Sequence, residues 1–243
     1  MSGRRLLPLV ALIGSTCLAA CSTPSFGAPD AASEQGQHIS SLYRGTMVAA
    51  LCVGLLVWGL IGWSLVRYRR GRRDEIGSQR SYNIPLEVVY TAIPVVIVAV
   101  LFFFSLRTER EVTKLNAHPD VTVEVIGFQW QWQFRYPDEG ITVTGASIGE
   151  PPELVLPIGE TTRLHLVSRD VNHSFWVPRF LYKRDLIPGV RNDIDVHPTK
   201  AGSFAGRCAE FCGLDHWRMN FTVRVVTPAE YRAWLAEQKR PPR

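Results

Sequence analysis

The chain has 243 residues, 46% of them hydrophobic and 20% charged, with a formal net charge of +5. Residues 1–117 carry 12 Lys/Arg against 7 Asp/Glu, whereas residues 118–243 carry 15 of each, so the basic excess sits entirely in the first half. The charge therefore gives no ground for a nucleic-acid partner, and apolar runs this unevenly placed exclude a single soluble globule.

The first 21 residues read as an export signal: Arg4 and Arg5 precede an apolar run from Leu6 to Ala20 that ends in small residues. Leu18-Ala19-Ala20-Cys21 has the plan of a bacterial lipobox, with Cys21 as the lipidated first residue of the mature chain; the alternative is an ordinary signal that happens to end in Cys. Residues 22–46, rich in Ser, Ala, Gly and Pro, show no apolar period and read as a flexible leader.

Residues 47–106 read as a transmembrane helix hairpin. Met47 to Val66 holds no charge, and about twenty residues at 1.5 Å each cross a hydrocarbon core of roughly 30 Å. Arg67, Arg69, Arg70, Arg72, Arg73 and Arg80 follow against only Asp74 and Glu75, which places this loop on the cytoplasmic side of the cell membrane. Leu86 to Leu106 brings the chain back out, with Glu87 near its cytoplasmic start and Pro94 as a tolerated kink.

Residues 107–226 then form a domain on the extracytoplasmic side. The run from Val121 to Tyr136 alternates β-branched and aromatic residues, and a continuous strand there would put Trp130, Trp132, Phe134 and Tyr136 on one face. GITVTGA, TTRLHLVS, NDIDVHPT, GSFAGRC and MNFTVRVV are further short strands bounded by turn residues, the pattern of an all-β sandwich or barrel. Residues 227–243 end the chain as a helix and tail, with Thr227 as N-cap, Pro228 at the first helical position and Glu230 closing a capping box.

One stretch of this domain carries chemistry. RCAEFCGLDHWRM places Cys208, Cys212, His216 and Met219 within a dozen residues, all soft or borderline donors that suit copper or zinc. Calcium and magnesium would require oxygens. His173, some thirty-five residues upstream, can complete the set across strands. A closed zinc site or a Cys208–Cys212 disulfide are the alternatives at this point. Of the other cysteines, Cys17 falls in the signal, Cys21 at the lipobox and Cys52 within a membrane helix, while His38, His118, His165 and His197 read as surface or strand residues.

A helix hairpin, GFQWQW, DVNHSFWVP and CAEFCGLDHWRM, in this order, make the chain from Met47 to Val226 resemble subunit II of the cytochrome c oxidases, in the haem-copper oxidase family. The resemblance implies a cupredoxin-like Greek-key barrel holding a mixed-valence copper pair, the CuA centre. Cys208 and Cys212 would bridge both coppers, His173 and Met219 would complete one, and His216 with the Glu210 carbonyl the other. The Glu210 side chain would reach a magnesium shared with subunit I. Trp130 would be the exposed electron-input ring for cytochrome c, Asp170 a docking carboxylate, and Glu87 the mouth of a proton channel. Asp138, Glu139 and Asp193 are further docking candidates.

Phe128, Gln131 and Tyr90 depart from residues frequent in that family. The implied partners are subunit I, the other oxidase subunits and a cytochrome c or membrane-bound cytochrome donor. KRDLIPG and HPTKAG resemble the Gram-positive form, in which a lipidated subunit II is common. A CuA subunit of a nitric oxide reductase and a copper-binding lipoprotein without redox role are the competing readings.

Overall fold

The computed structural model describes residues 25–69 and 81–240. The export signal, Cys21 and most of the Arg-rich loop lie outside these residues. Helix α1 spans Glu34–Arg67 and helix α2 spans Ile84–Thr113, both long and apolar enough to cross a membrane. Each starts on a side-chain cap: the Ser33 hydroxyl accepts from the Gly36 N–H, and the Asn83 amide oxygen accepts from the Leu86 N–H. The apolar side chains of both helices point outward, as lipid-facing helices require.

At 34 residues, α1 is about 51 Å long, well beyond the bilayer core. Its outer third falls in the segment expected as a flexible leader, and residues 25–46 correct that expectation. Ala32 and Ser33 are buried against the β domain, where the Ala32 N–H donates to the Arg179 carbonyl (2.7 Å) and the Thr199 N–H donates to the Ala32 carbonyl (2.9 Å). Asp30 pairs with Lys200 and Arg179. Small residues without apolar period can still dock on a sheet domain, here through one isolated bridge from Ser33 to Pro198, because backbone hydrogen bonds and a small footprint suffice. Helix α2 likewise continues to Thr113, so residues 107–113 are helical rather than part of the barrel.

The β domain is two five-stranded sheets packed face to face, the architecture expected of a cupredoxin-like barrel. One sheet runs β3 (Ile141–Thr144), β2 (Gln131–Tyr136), β1 (Val121–Phe128), β5 (Thr162–Ser168), β8 (Asn192–Val196). The other runs β4 (Glu153–Pro157), β10 (Asn220–Val226), β9 (Gly202–Cys208), β6 (His173–Val177), β7 (Tyr182–Leu186). The β1–β5 and β4–β10 pairs are parallel, and the rest are antiparallel. Strands β4, β6 and β7 add to those read from alternation; β4, for example, is buried at four successive positions and shows no period of two.

The aromatic run is two strands, not one. It breaks at Gln129-Trp130, and β1 and β2 pair as a hairpin with Phe128 opposite Gln131. Trp132, Phe134 and Tyr136 do share the core face, while Trp130 sits in the turn, half-buried rather than exposed. Trp132 packs against Phe221 (5.1 Å between centroids), which stacks on Phe175 at 4.7 Å. The Tyr136 hydroxyl both donates to and accepts from Val155, tying the two sheets together. Helix α3 (Pro228–Gln238) starts on the expected Thr227–Glu230 capping box and lays Trp234 on Tyr136.

Candidate metal centre

Three strands of the second sheet converge on the cluster. His173 opens β6, Cys208 closes β9, and Met219 immediately precedes β10. The Cys208 N–H donates to the Met219 carbonyl at 2.9 Å, so the loop 209–218 leaves and rejoins a continuous ladder. The Ala209 N–H donates to the Ser174 carbonyl, which holds β9 against β6 at the same level. Within the loop Gly213 takes φ +120, and a short 3-10 turn, His216–Arg218, swings the second imidazole back toward the sulfurs.

All six expected donor groups meet. Cys208 Sγ lies 3.8 Å from Cys212 Sγ, 3.8 Å from His173 Nδ1 and 3.3 Å from the Glu210 carbonyl oxygen. Cys212 Sγ lies 3.4 Å from His216 Nδ1 and 3.8 Å from Met219 Sδ. A disulfide would need about 2.05 Å between sulfurs, so that alternative is not realised. A four-coordinate zinc would leave the thioether and the carbonyl idle although both touch the thiols. Two thiols flanked at both ends by imidazole, with a weak donor on each, suit a soft metal such as copper instead.

Electrostatics divides the cluster. Burial pushes the Cys208 thiol up, but its contacts with His173 and with the Glu210 and Ser174 backbone outweigh that and hold it below the usual thiol range. Burial, then the adjacent Cys208 charge, pushes Cys212 up. His173 is fully buried; burial disfavours its charged form, yet Cys208 and Asp170 together raise it above the ordinary imidazole value.

Asp170 is exposed at the surface, yet its carboxylate is bonded to the buried His173. Its Oδ1 lies 2.8 Å from His173 Nε2 and accepts the Val171 N–H, while Oδ2 accepts the Gln129 N–H at 2.7 Å. Burial raises this carboxyl, and hydrogen bonds from His173, Gln129 and Val171 more than reverse the effect. The carboxylate thereby directs Nδ1 of His173 at Cys208. Gly127 lies beneath the ring: a Cβ there would meet the imidazole at 3.1 Å.

Trp130 reaches the cluster through backbone. Its indole N–H donates to the Cys212 carbonyl at 3.1 Å, and the Gln129 side-chain amide donates to the same oxygen at 2.7 Å. Gln129 was not among the expected site residues; its one sequence signal is its place beside Trp130. The Glu210 side chain is half-exposed with Lys183 at 4.0 Å. Glu87 lies far away at the start of α2, where its carboxylate accepts the Asn83 N–H. Glu139 pairs with Lys239, and Asp193 pairs with His165 and Arg191, so neither belongs to this cluster. Phe211, Leu214 and Trp217, at 78%, 82% and 75% exposure, form an apolar rim on the ligand loop.

Comparison with known proteins identifies the family. Residues 147–226 match the family model for cytochrome c oxidase subunit II, periplasmic domain, and residues 22–108 match its transmembrane domain. A Streptomyces coelicolor protein described as "probable cytochrome c oxidase subunit 2" is 42% identical over 88% of this chain and 79% of its own length. Cytochrome c oxidase subunit 2 of Mycobacterium tuberculosis is 33% identical over 97% of this chain and 82% of its own. Among solved structures, the periplasmic domain of cytochrome oxidase subunit II from Bradyrhizobium japonicum is 31% identical, covering 51% of this chain and 97% of that one, with a TM-score of 0.47. With relatives of this identity and coverage, the chain belongs to the cytochrome c oxidase subunit II family, as a membrane-anchored subunit of an oxidoreductase complex.

Proposed function

We propose that this chain takes electrons from a cytochrome c, soluble or membrane-bound, and delivers them to haem a of subunit I, where the complex reduces oxygen to water and pumps protons. The observation that carries the reading is the meeting of six donor groups, two thiols, a thioether, two imidazoles and a carbonyl, from three strand ends and one loop. Cys208, Cys212, His173, His216, Met219 and the Glu210 carbonyl would hold two copper ions. Bound there, a copper pair supplies one-electron acceptance and release with its charge spread over two centres.

The chain's own residues do the rest. The ladder from Cys208 to Met219 and the Asp170 bond to His173 hold the donors in place before a metal arrives, so little reorganisation accompanies a change of charge. Trp132, Phe175 and Met219 seal the inner side from water. Trp130 links the surface to the Cys212 backbone and is the input ring for the donor; Asp170 would add a negative charge to that approach. The half-exposed Glu210 carboxylate would bind a magnesium shared with subunit I, and Glu87 would mark proton uptake at the cytoplasmic face. The domain then lies on the outer side of the plasma membrane, in keeping with an Arg-rich inner loop.

The test uses the purified oxidase complex. Two coppers per copy of this chain beyond the haem-site copper, with a paramagnetic signal from one electron shared between two equivalent coppers, are expected. One zinc, or a single isolated copper signal, overturns the reading, and optical spectra of the co-purified haems separate an oxidase from a nitric oxide reductase.

A further inference from the structure

A cavity of about 660 Å³ opens between the two membrane helices at their outer ends. On α1 it extends from His38 to Ala49 and on α2 from Val100 to Glu111, about 17 Å along each axis. Its inner half is mainly apolar, with Ala49, Leu101 and Phe104 below Leu106, the last residue of the uncharged stretch of α2, and the Thr46 hydroxyl at this depth donates to the Leu42 carbonyl. Its outer half carries His38, Arg107 and Glu111, and His38 and Glu111 also line an adjoining polar cleft beside the β domain. Polarity thus changes along the cavity at the depth where a bilayer passes from acyl chain to headgroup.

Arg107 and Glu111 are one helical turn apart with opposite charge. Among the described residues, neither is in an ion pair and neither side chain forms a hydrogen bond. The basic-before-acidic order is also the weaker one for pairing within a helix. Helix α2 runs outward, so the cation lies deeper and the carboxylate lies about 6 Å farther out. A zwitterionic headgroup has the matching order: its phosphate adjoins the glycerol, and its ammonium projects toward water.

We propose that this cavity binds one zwitterionic phospholipid, with its phosphate on Arg107, its cationic nitrogen on Glu111 and an acyl chain along Ala49, Leu101 and Phe104. An anionic lipid would satisfy Arg107 but set its charge against Glu111, and a helix of another subunit would have to bring two charges of its own to the boundary. The proposal needs only the membrane topology and is independent of the metal centre.

The experiment compares the intact oxidase complex, purified in mild detergent, with the same complex carrying the charge swap R107E/E111R, which keeps composition and net charge. Mass spectrometry of extracted lipid should find one zwitterionic phospholipid, with an ethanolamine or choline headgroup, per complex fewer in the swap. A photoreactive benzoylphenylalanine at Phe104, in the otherwise native chain, should gain the mass of a phospholipid on illumination. Unchanged lipid content in the swap, retention of phosphatidylglycerol as the specific class, or crosslinking of position 104 to another subunit would each overturn the proposal. If the swap fails to assemble, the crosslink decides alone.

Discussion

The two ends of the donor cluster are built differently. His173 stands on a strand, fully buried, with Asp170 fixing one nitrogen and Gly127 leaving room for its ring. His216 stands on a short turn, partly exposed, with Phe211 against its ring at 5.7 Å and Trp217 open to solvent. A ligand on a sheet inherits the sheet's rigidity, whereas a ligand on a loop borrows its position from neighbours and leaves the loop's outer face free to meet a partner.

The largest test removes what both ends share. Cys208→Ser should abolish the copper pair, read as metal per chain and as loss of the shared-electron signal, because Cys208 touches His173, Cys212 and the Glu210 carbonyl at once. Asp170→Asn strikes the strand end alone; copper affinity should fall about 10- to 100-fold, measured by competition with a chelator, while the His216 end keeps its geometry.

The same variant has a pH signature. The Asp170 carboxyl is lowered in the folded protein, so its contribution is present above the unfolded carboxylate range and is lost as pH falls through the folded value. Urea titrations of the native chain should show stability dropping in acid, and Asp170→Asn should flatten that limb. An unchanged acid limb would mean that the carboxylate carries no linkage.

Smaller effects separate the faces further. Met219→Leu conserves volume in a buried position and should cost under about 1.5 kcal/mol, keeping two coppers while changing the potential measured by redox titration. Trp130→Phe removes one of two donors to the Cys212 carbonyl and should cost about 0.5–1.5 kcal/mol in denaturation, with a larger loss in the rate of electron transfer from cytochrome c. Trp217→Ala should leave stability within about 0.5 kcal/mol and alter only partner association, seen in the concentration dependence of that rate.

Much of this was legible in the residues themselves. An uncharged run has one solution in lipid, so both membrane helices could be read directly, though not how far α1 rises above the bilayer, since docking of Ala32 and Ser33 leaves no period. The donors Cys208, Cys212, His216 and Met219 fall within twelve residues of sequence, and their chemistry announces itself. Asp170 stands three residues before His173, so that link has a local spacing, whereas the link from Gln129 to Cys212 depends on how the β1–β2 turn and the ligand loop stack, and no spacing encodes it. Trp130 shows the same limit: alternation continues through it in sequence, while the chain turns.

The docked N-terminal segment has one further consequence. The β domain is gripped from both sides of the hairpin: Ala32 and Glu34 bond to Arg179, Thr199 and His197 at the start of α1, and the Asn116 N–H bonds to Asp195 after α2. Two stalks fix its altitude and tilt where one would let it swing. For a donor tethered to the same membrane, the search for the rim around Cys212 then reduces to two dimensions at a constant height, and only rotation about the membrane normal is left to chance.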